Sequence, residues 1–170
     1  MSYHVGFTGT RAGMTSDQWH LLRQRLAAIK AEHGDVVFHY GQAVGADEEA
    51  ALLAHEMGFW VVSHPSNLPN QTSVHTDLIS EARAPKAPLV RNHDIVDESS
   101  LMFATPRTLN EELRSGTWAT IRYANRTGVT VEQILPVGDR PQLYGPIPSV
   151  DIIGEAADKL DLLLEGGEHA

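Results

Sequence analysis

Along the chain, apolar positions come in two alternating patterns: short unbroken runs, and longer stretches in which they recur every three or four residues. The runs are Tyr3–Thr8, Asp35–Tyr40 (DVVFHY), Phe59–Ser63 (FWVVS), Leu101–Ala104 (LMFA) and Val129–Leu135 (VTVEQIL). Runs of this length without strict alternation predict strands covered on both faces. Between the first two, Trp19, Leu22, Leu26 and Ile29 keep helical spacing behind the capping box Thr15-Ser16-Asp17-Gln18, and Gly34 ends the helix. A second helix runs from Glu48 to Met57 and stops at Gly58, a short one opens at Arg91-Asn92-His93-Asp94, and another spans Gly116 to Arg126.

Strands alternating with helices predict an α/β fold, a Rossmann-like three-layer sandwich with a mostly parallel sheet of about five or more strands. In such sheets ligands bind outside the carboxyl ends of the strands, near a switch in strand order, and the glycine-rich turns of this chain fall at such ends. Residues 1–136 form the predicted domain. The segment 65–89 has four prolines and no strong apolar period apart from a short helix expected around Thr76–Ala84; a connection this long reads as a lid, a binding loop or a disordered insert. After Pro136 come a Pro/Gly-rich linker and a stretch, 150–164, with the spacing of a terminal amphipathic helix that would dock on its own domain or on a partner subunit.

Length and composition narrow the function. A chain of 170 residues, 42% hydrophobic and 21% charged, is sized for one ordinary globular domain. The absence of cysteine excludes disulfides, thiolate nucleophiles and zinc ribbons. No run approaches a membrane span and no secretory signal is readable at MSYHVGFTG, so a cytoplasmic protein with no membrane partner is expected. The sequons at Asn70 and Asn125 would matter only in a secreted protein and read as chance matches. The net charge is −9, and residues 137–170 set seven acids against Arg140 and Lys159, a net of −5 that leaves −4 for the rest. An acidic body disfavours a broad nucleic-acid surface while leaving room for a local basic pocket.

Three turns supply candidate ligand contacts. In the first, Gly9 lets backbone approach an anion while Thr10 and Arg11 offer a hydroxyl and a guanidinium; neither a GxGxxG nor a Walker spacing is present. In the second, Gly41, Gly45 and Ala46 bring a helix N-terminus to the sheet edge, and Asp47 is placed to bond a ribose hydroxyl or to cap the helix. In the third, Ser115, Gly116 and Thr117 present hydroxyls and N–H groups beside Arg114, at the start of the helix after the fourth strand. Arg91 and Asn92 complete the candidate set. His55-Glu56 begins like a zincin motif, but Phe59 stands where the second histidine belongs. The nine histidines show no ligand spacing and read as exposed or capping, so no metal and no other cofactor is called for. Trp19, Trp60 and Trp118 read as core, and no catalytic residue is assigned from spacing.

Taken together, GFTGTR, FHYGQAVGAD, HP, RN–DIVDES with LMFATP, RSGTWATIRYA and ILP resemble the SLOG superfamily over roughly residues 3–136. That group of Rossmann-like proteins includes the LOG phosphoribohydrolases, the DNA-processing protein A family and the YspA-like proteins, the last being the nearest in pattern. The resemblance implies a nucleotide or nucleotide-derived small molecule held by the three loops, in a protein that senses or carries a phosphorylated nucleoside or ADP-ribose-like ligand; apart from the resemblance, a second copy of the chain is a further candidate partner. LOG enzymes carry PGGxGTxxE, whose glutamate works on an N-glycosidic bond. Aligning Gly116-Thr117 with its GT puts Thr120 at the glutamate, and a threonine cannot supply that charge. Two alternatives follow from the same resemblance. One is an N-glycosidase acting on nucleoside monophosphates, with its acid drawn from Asp47 or Glu48, or from Glu111 or Glu112 in a loop expected to hold them poorly; the other is a single-stranded DNA binder in recombination.

Overall fold

The structure, a computed structural model, describes residues 1–136; the linker and the helix expected over 150–164 lie outside the described residues. Six strands and four α-helices alternate: β1 Tyr3–Gly9, α1 Ser16–His33, β2 Val36–Tyr40, α2 Ala46–Glu56, β3 Trp60–Ser63, β4 Glu81–Ala82, α3 Pro88–Asp97, β5 Leu101–Thr105, α4 Gly116–Thr127 and β6 Thr130–Gln133, with a 3₁₀ turn at Pro69–Gln71. All strand pairs are parallel, in the order β4-β3-β2-β1-β5-β6. The chain therefore steps outward from β1 to β4, returns to the other side of β1 as β5, and reverses its winding direction between β1 and β5.

The period-two alternation of side chains assigns each face. Val5 and Phe7 of β1, Phe38 and Tyr40 of β2, Val61 of β3 and Phe103 of β5 pack with Leu22, Leu26 and Ile29 of α1 and Ala50, Leu53 and Ala54 of α2 in the main core. The opposite face is smaller: Met102 meets Ile95 and Val96 of α3 and Ala124 of α4, and Ala104 meets Trp118 and Ile121 of α4. Gly6 permits this second layer to sit close, since a Cβ there would run into Met102 Sδ and Ser99 Oγ.

Local signals in the sequence act as expected at α1. Thr15 accepts from the Gln18 N–H at 3.2 Å and the Gln18 side chain returns a bond to the Thr15 N–H at 3.0 Å. The Gln18 amide also donates to the carbonyls of Pro106 and Ile134, both at 2.8 Å, tying the start of α1 to the ends of β5 and β6.

Two expectations are corrected. No helix forms at Thr76–Ala84: Ser80 N–H donates to Val61 O and Arg83 N–H to Ser63 O, both at 2.8 Å, so the segment adds β4 to the open edge of β3. Leu78 and Ile79 are adjacent and build no helical stripe, whereas the β3 edge offers an unpaired ladder. Trp60 is not core: it is 53% exposed, at the start of β3 on the sheet face away from α1 and α2, with its indole N–H 3.4 Å from Glu81. Among the described residues, no helix is long and apolar enough to cross a membrane.

Candidate functional site

At the switch between β1 and β5 the carboxyl ends of the strands open into a crevice of about 580 Å³. Its walls contain Gly9, Thr10, Arg11, Gly41, Asp47, Arg91, Asn92, Arg114, Ser115, Gly116 and Thr117, joined by Gln71, Arg107 and Glu112 from the intervening segments. All three predicted turns thus contribute to one space. Gly45 and Ala46 of the second turn do not line it.

The reason lies in how the first two turns lock together. Gly45 adopts φ +90°, and a Cβ on it would collide with the Arg11 carbonyl. The Ala46 N–H donates to Thr10 O at 3.0 Å, the Gly45 N–H to Glu48 Oε2 at 3.2 Å, the Val44 N–H to Gln71 O at 3.2 Å and the Ala43 N–H to Asp47 Oδ2 at 3.2 Å. Glu49 Oε1 accepts the Met14 N–H at 2.7 Å. The N–H groups of Ala43, Val44, Gly45 and Ala46 are thereby taken by protein acceptors, and Asp47, Glu48 and Glu49 complement the dipole of α2. Gly9 likewise serves packing, because a Cβ there would press on Thr105 Oγ1 and Ala46 Cβ.

The third turn is different. Ser115 caps α4 by accepting the Trp118 N–H at 3.2 Å, and the Ala119 N–H goes to Ser115 O at 2.9 Å. The Gly116 and Thr117 N–H groups have no backbone acceptor, and the space beside Gly116 is open for 4 Å around. Arg11 and Arg114 line the crevice with no hydrogen-bond or ion-pair partner among the described residues.

Behind these cations sits a buried charged pair. Arg91 is 8% exposed; its Nη1 donates to Gly41 O and, at 2.8 Å, to His64 O, while its Nε has no partner among the described residues. Asp47, 6% exposed, has its carboxyl pushed up to about 6 by burial, against the pull of the Arg91 charge and the N–H groups of Ala43 and Gly41. Burial and the neighbouring charges of Asp47 and Glu48 also raise the Tyr40 hydroxyl far above its ordinary range, and that hydroxyl has no partner among the described residues.

The loop before α4 is better held than its composition implies. Arg107 Nη2 pairs with Glu112 Oε2 at 2.9 Å, Thr108 Oγ1 lies 3.0 Å from Glu112 Oε1, and the Trp118 indole N–H donates to Thr108 Oγ1 at 3.1 Å. Glu112 is therefore fixed at the crevice wall, and Glu111 is drawn away onto Arg122 at 2.5 Å. Thr120 is absent from the crevice: it is 1% exposed and its hydroxyl donates to Gly116 O at 2.9 Å, inside the first turn of α4. Glu48 also points elsewhere, bonded to Ser73 and to the Gly45 N–H. The long 65–88 segment is ordered, folding back through Ser73 N–H to Gln42 O at 2.7 Å and bringing Gln71 to the crevice. Gln71 and Arg107 escaped the sequence reading because nothing local marks them, and Glu112 entered it only as a substitute acid in a loop expected to hold it poorly; the route of their loops brings all three in.

The overall architecture is shared with known proteins. The chain superposes on the molybdenum cofactor binding protein of the phototrophic bacterium Rippkaea orientalis with TM-score 0.60 at 16% identity, over 97% of this chain and 98% of that one. It matches the molybdenum cofactor carrier protein of Chlamydomonas reinhardtii with TM-score 0.59 at 15% identity, over 97% and 99%. It matches DNA processing protein A of Streptococcus pneumoniae with TM-score 0.59 at 18% identity, over 96% of this chain but only 56% of that one. No protein-family model and no curated protein sequence matches the chain. What the chain shares with them is the Rossmann-like fold. The similarity lies in the architecture and selects no branch among them.

Proposed function

We propose that the crevice holds a phosphorylated, nucleotide-derived small molecule and that the protein binds or carries this ligand without cleaving it. One observation carries the reading: Arg11 and Arg114, without a partner among the described residues, share a crevice with the N–H groups of Gly116 and Thr117, which have no backbone acceptor among those residues. A helix N-terminus flanked by guanidinium groups favours a phosphate through both its dipole and charge-assisted hydrogen bonds. On this reading Asn92 and Thr10 contact polar groups of the ligand, Asp47 reaches a ribose hydroxyl, and Gln71 borders the remainder. Two relatives in fold are named for binding or carrying a cofactor, which fits the same use of the cleft.

The test is calorimetric titration with AMP, ADP-ribose and adenosine. The phosphorylated compounds should bind at least tenfold more tightly than adenosine, and Arg114→Ala should weaken them by about 1.5–3 kcal/mol with an unchanged melting temperature. Equal affinity for adenosine and AMP, or a silent Arg114→Ala, overturns the proposal.

A second reading, an N-glycosidase on nucleoside monophosphates, is favoured by Asp47, a crevice-lining acid whose carboxyl lies near 6 and so could hold or release a proton near neutrality. Free base appearing with AMP, and abolished by Asp47→Asn, would replace the binding reading with this one.

A further inference from the structure

The sequence scatters its histidines, yet the fold lines three of them up. His4 and His39 alternate with core residues of β1 and β2 and so face the side of the sheet away from α1 and α2, and His64 follows β3 directly. His4 Nδ1 lies 2.9 Å from His39 Nε2, and His39 Nδ1 lies 3.0 Å from His64 Nε2. Contrary to the expectation of exposed or capping histidines, His39 and His64 are 0% and 1% exposed. Glu98, at the end of α3, brings Oε2 to 3.7 Å from His39 Nδ1, and one ligand atom from each of His39, His64 and Glu98 lies within 4.8 Å of the others.

We propose that His39 Nδ1, His64 Nε2 and the Glu98 carboxylate form a binding site for a divalent transition-metal ion of the zinc type. Two imidazole nitrogens and one carboxylate make a familiar three-ligand set for zinc, with a fourth position left to water. Two nitrogens on a tetrahedral ion at about 2.0–2.1 Å stand about 3.3 Å apart, so on binding the ion would replace the His39–His64 hydrogen bond, opening the 3.0 Å between them slightly and drawing the Glu98 carboxylate inward from 3.7 Å. Neutral imidazole is the ligating form, and both rings are enclosed by protein, which disfavours charging them. With His39 Nε2–H donating to His4 Nδ1, the lone pair of His39 Nδ1 is aimed at the site, the arrangement by which an outer hydrogen bond orients a metal-bound histidine.

Arg83 holds Glu98 through Nη2 at 2.6 Å and Nε at 3.3 Å. A carboxylate has about four lone-pair positions, so Glu98 can keep that partner and still ligate, and its side chain, 34% exposed, gives the ion a route in. Because the His64 carbonyl accepts from Arg91, the site backs directly onto the wall of the ligand crevice.

The full chain, stripped with EDTA and dialysed, should take up one Zn²⁺ per chain in calorimetry, and Co²⁺ should give the visible absorption of a tetrahedral nitrogen/oxygen site that Zn²⁺ then displaces. His64→Gln should abolish uptake and Glu98→Gln should weaken it at least tenfold, while His55→Gln, on an exposed histidine elsewhere, should change nothing. Should His64→Gln fail to fold, Glu98→Gln at the more exposed position decides alone. No stoichiometric uptake by the wild-type chain, full uptake by Glu98→Gln, or loss in His55→Gln overturns the site and leaves a hydrogen-bonded histidine row.

Discussion

Asp47 shows how burial changes the meaning of a residue. On the sequence it is a cap or a ribose contact; in the fold it is a nearly buried acid facing Arg91, with its carboxyl raised from 3.8 to about 6. An acid whose folded value lies above its unfolded one binds its proton more tightly in the folded state. Its contribution therefore favours folding below about pH 4 and is lost as the pH rises through about 6. Relative to Asp47→Asn, the wild-type protein should lose roughly 2–3 kcal/mol of unfolding free energy between pH 4 and pH 7, a shift of about two units at ~1.36 kcal/mol each. Urea denaturation of both proteins across that range checks it; a constant difference would contradict the assignment. Thr120 makes the complementary point. Its hydroxyl bonds within α4 and its side chain is enclosed, so Thr120→Glu would bury a carboxylate in place of a small satisfied group. We expect it to destabilise the fold by more than ~2 kcal/mol and to create no base release, measured by chemical denaturation and by product analysis with AMP.

At the scale of elements, the three turns look alike in sequence and do different work. The turn before α2 is a packing joint, its Ala43, Val44, Gly45 and Ala46 N–H groups taken by Asp47, Gln71, Glu48 and Thr10, whereas at the start of α4 Gly116 and Thr117 line the crevice and their N–H groups have no backbone acceptor among the described residues. Glycine substitutions separate the two roles. Gly45→Ala places a Cβ at φ +90° against the Arg11 carbonyl and should cost ~2 kcal/mol or more, while Gly116→Ala meets open space and should change stability by less than ~0.5 kcal/mol. Comparable losses for both would mean that the two turns are built alike. The helices and central strands were legible because each carries its own period and its own caps. The edge strand β4 was not, since two residues joining an open ladder leave no period to read. The fixed position of Glu112 was equally hidden, resting on Thr108 and Trp118 from opposite ends of one loop.

At the scale of the molecule, the proposed reading combines the acidic balance of −9 with two crevice arginines that have no partner among the described residues, and so expects a small anionic ligand over a polymer. A phosphorylated ligand at ~100 times its dissociation constant should stabilise the protein by about 2.7 kcal/mol, visible as a rise of several degrees in thermal shift. Single-stranded DNA should bind only weakly at physiological salt and lose what affinity it has steeply as salt rises; tight, salt-insensitive binding would move the protein toward its DNA-processing relatives.

The sequence by itself determined the alternation of strands and helices, the parallel sheet, and most of the crevice-lining residues at strand ends, Gly45 and Ala46 excepted, because hydrophobic period, capping residues and glycine turns are local quantities. It also excluded thiol chemistry outright. Only the tertiary structure decided which turn keeps its donors free, that Thr120 faces inward, that Trp60 stays exposed, and that His39, His64 and Glu98 meet. Those outcomes depend on strand order and on loops closing over one another, and residues 25 or more positions apart along the chain carry no sign of the neighbours that the sheet gives them.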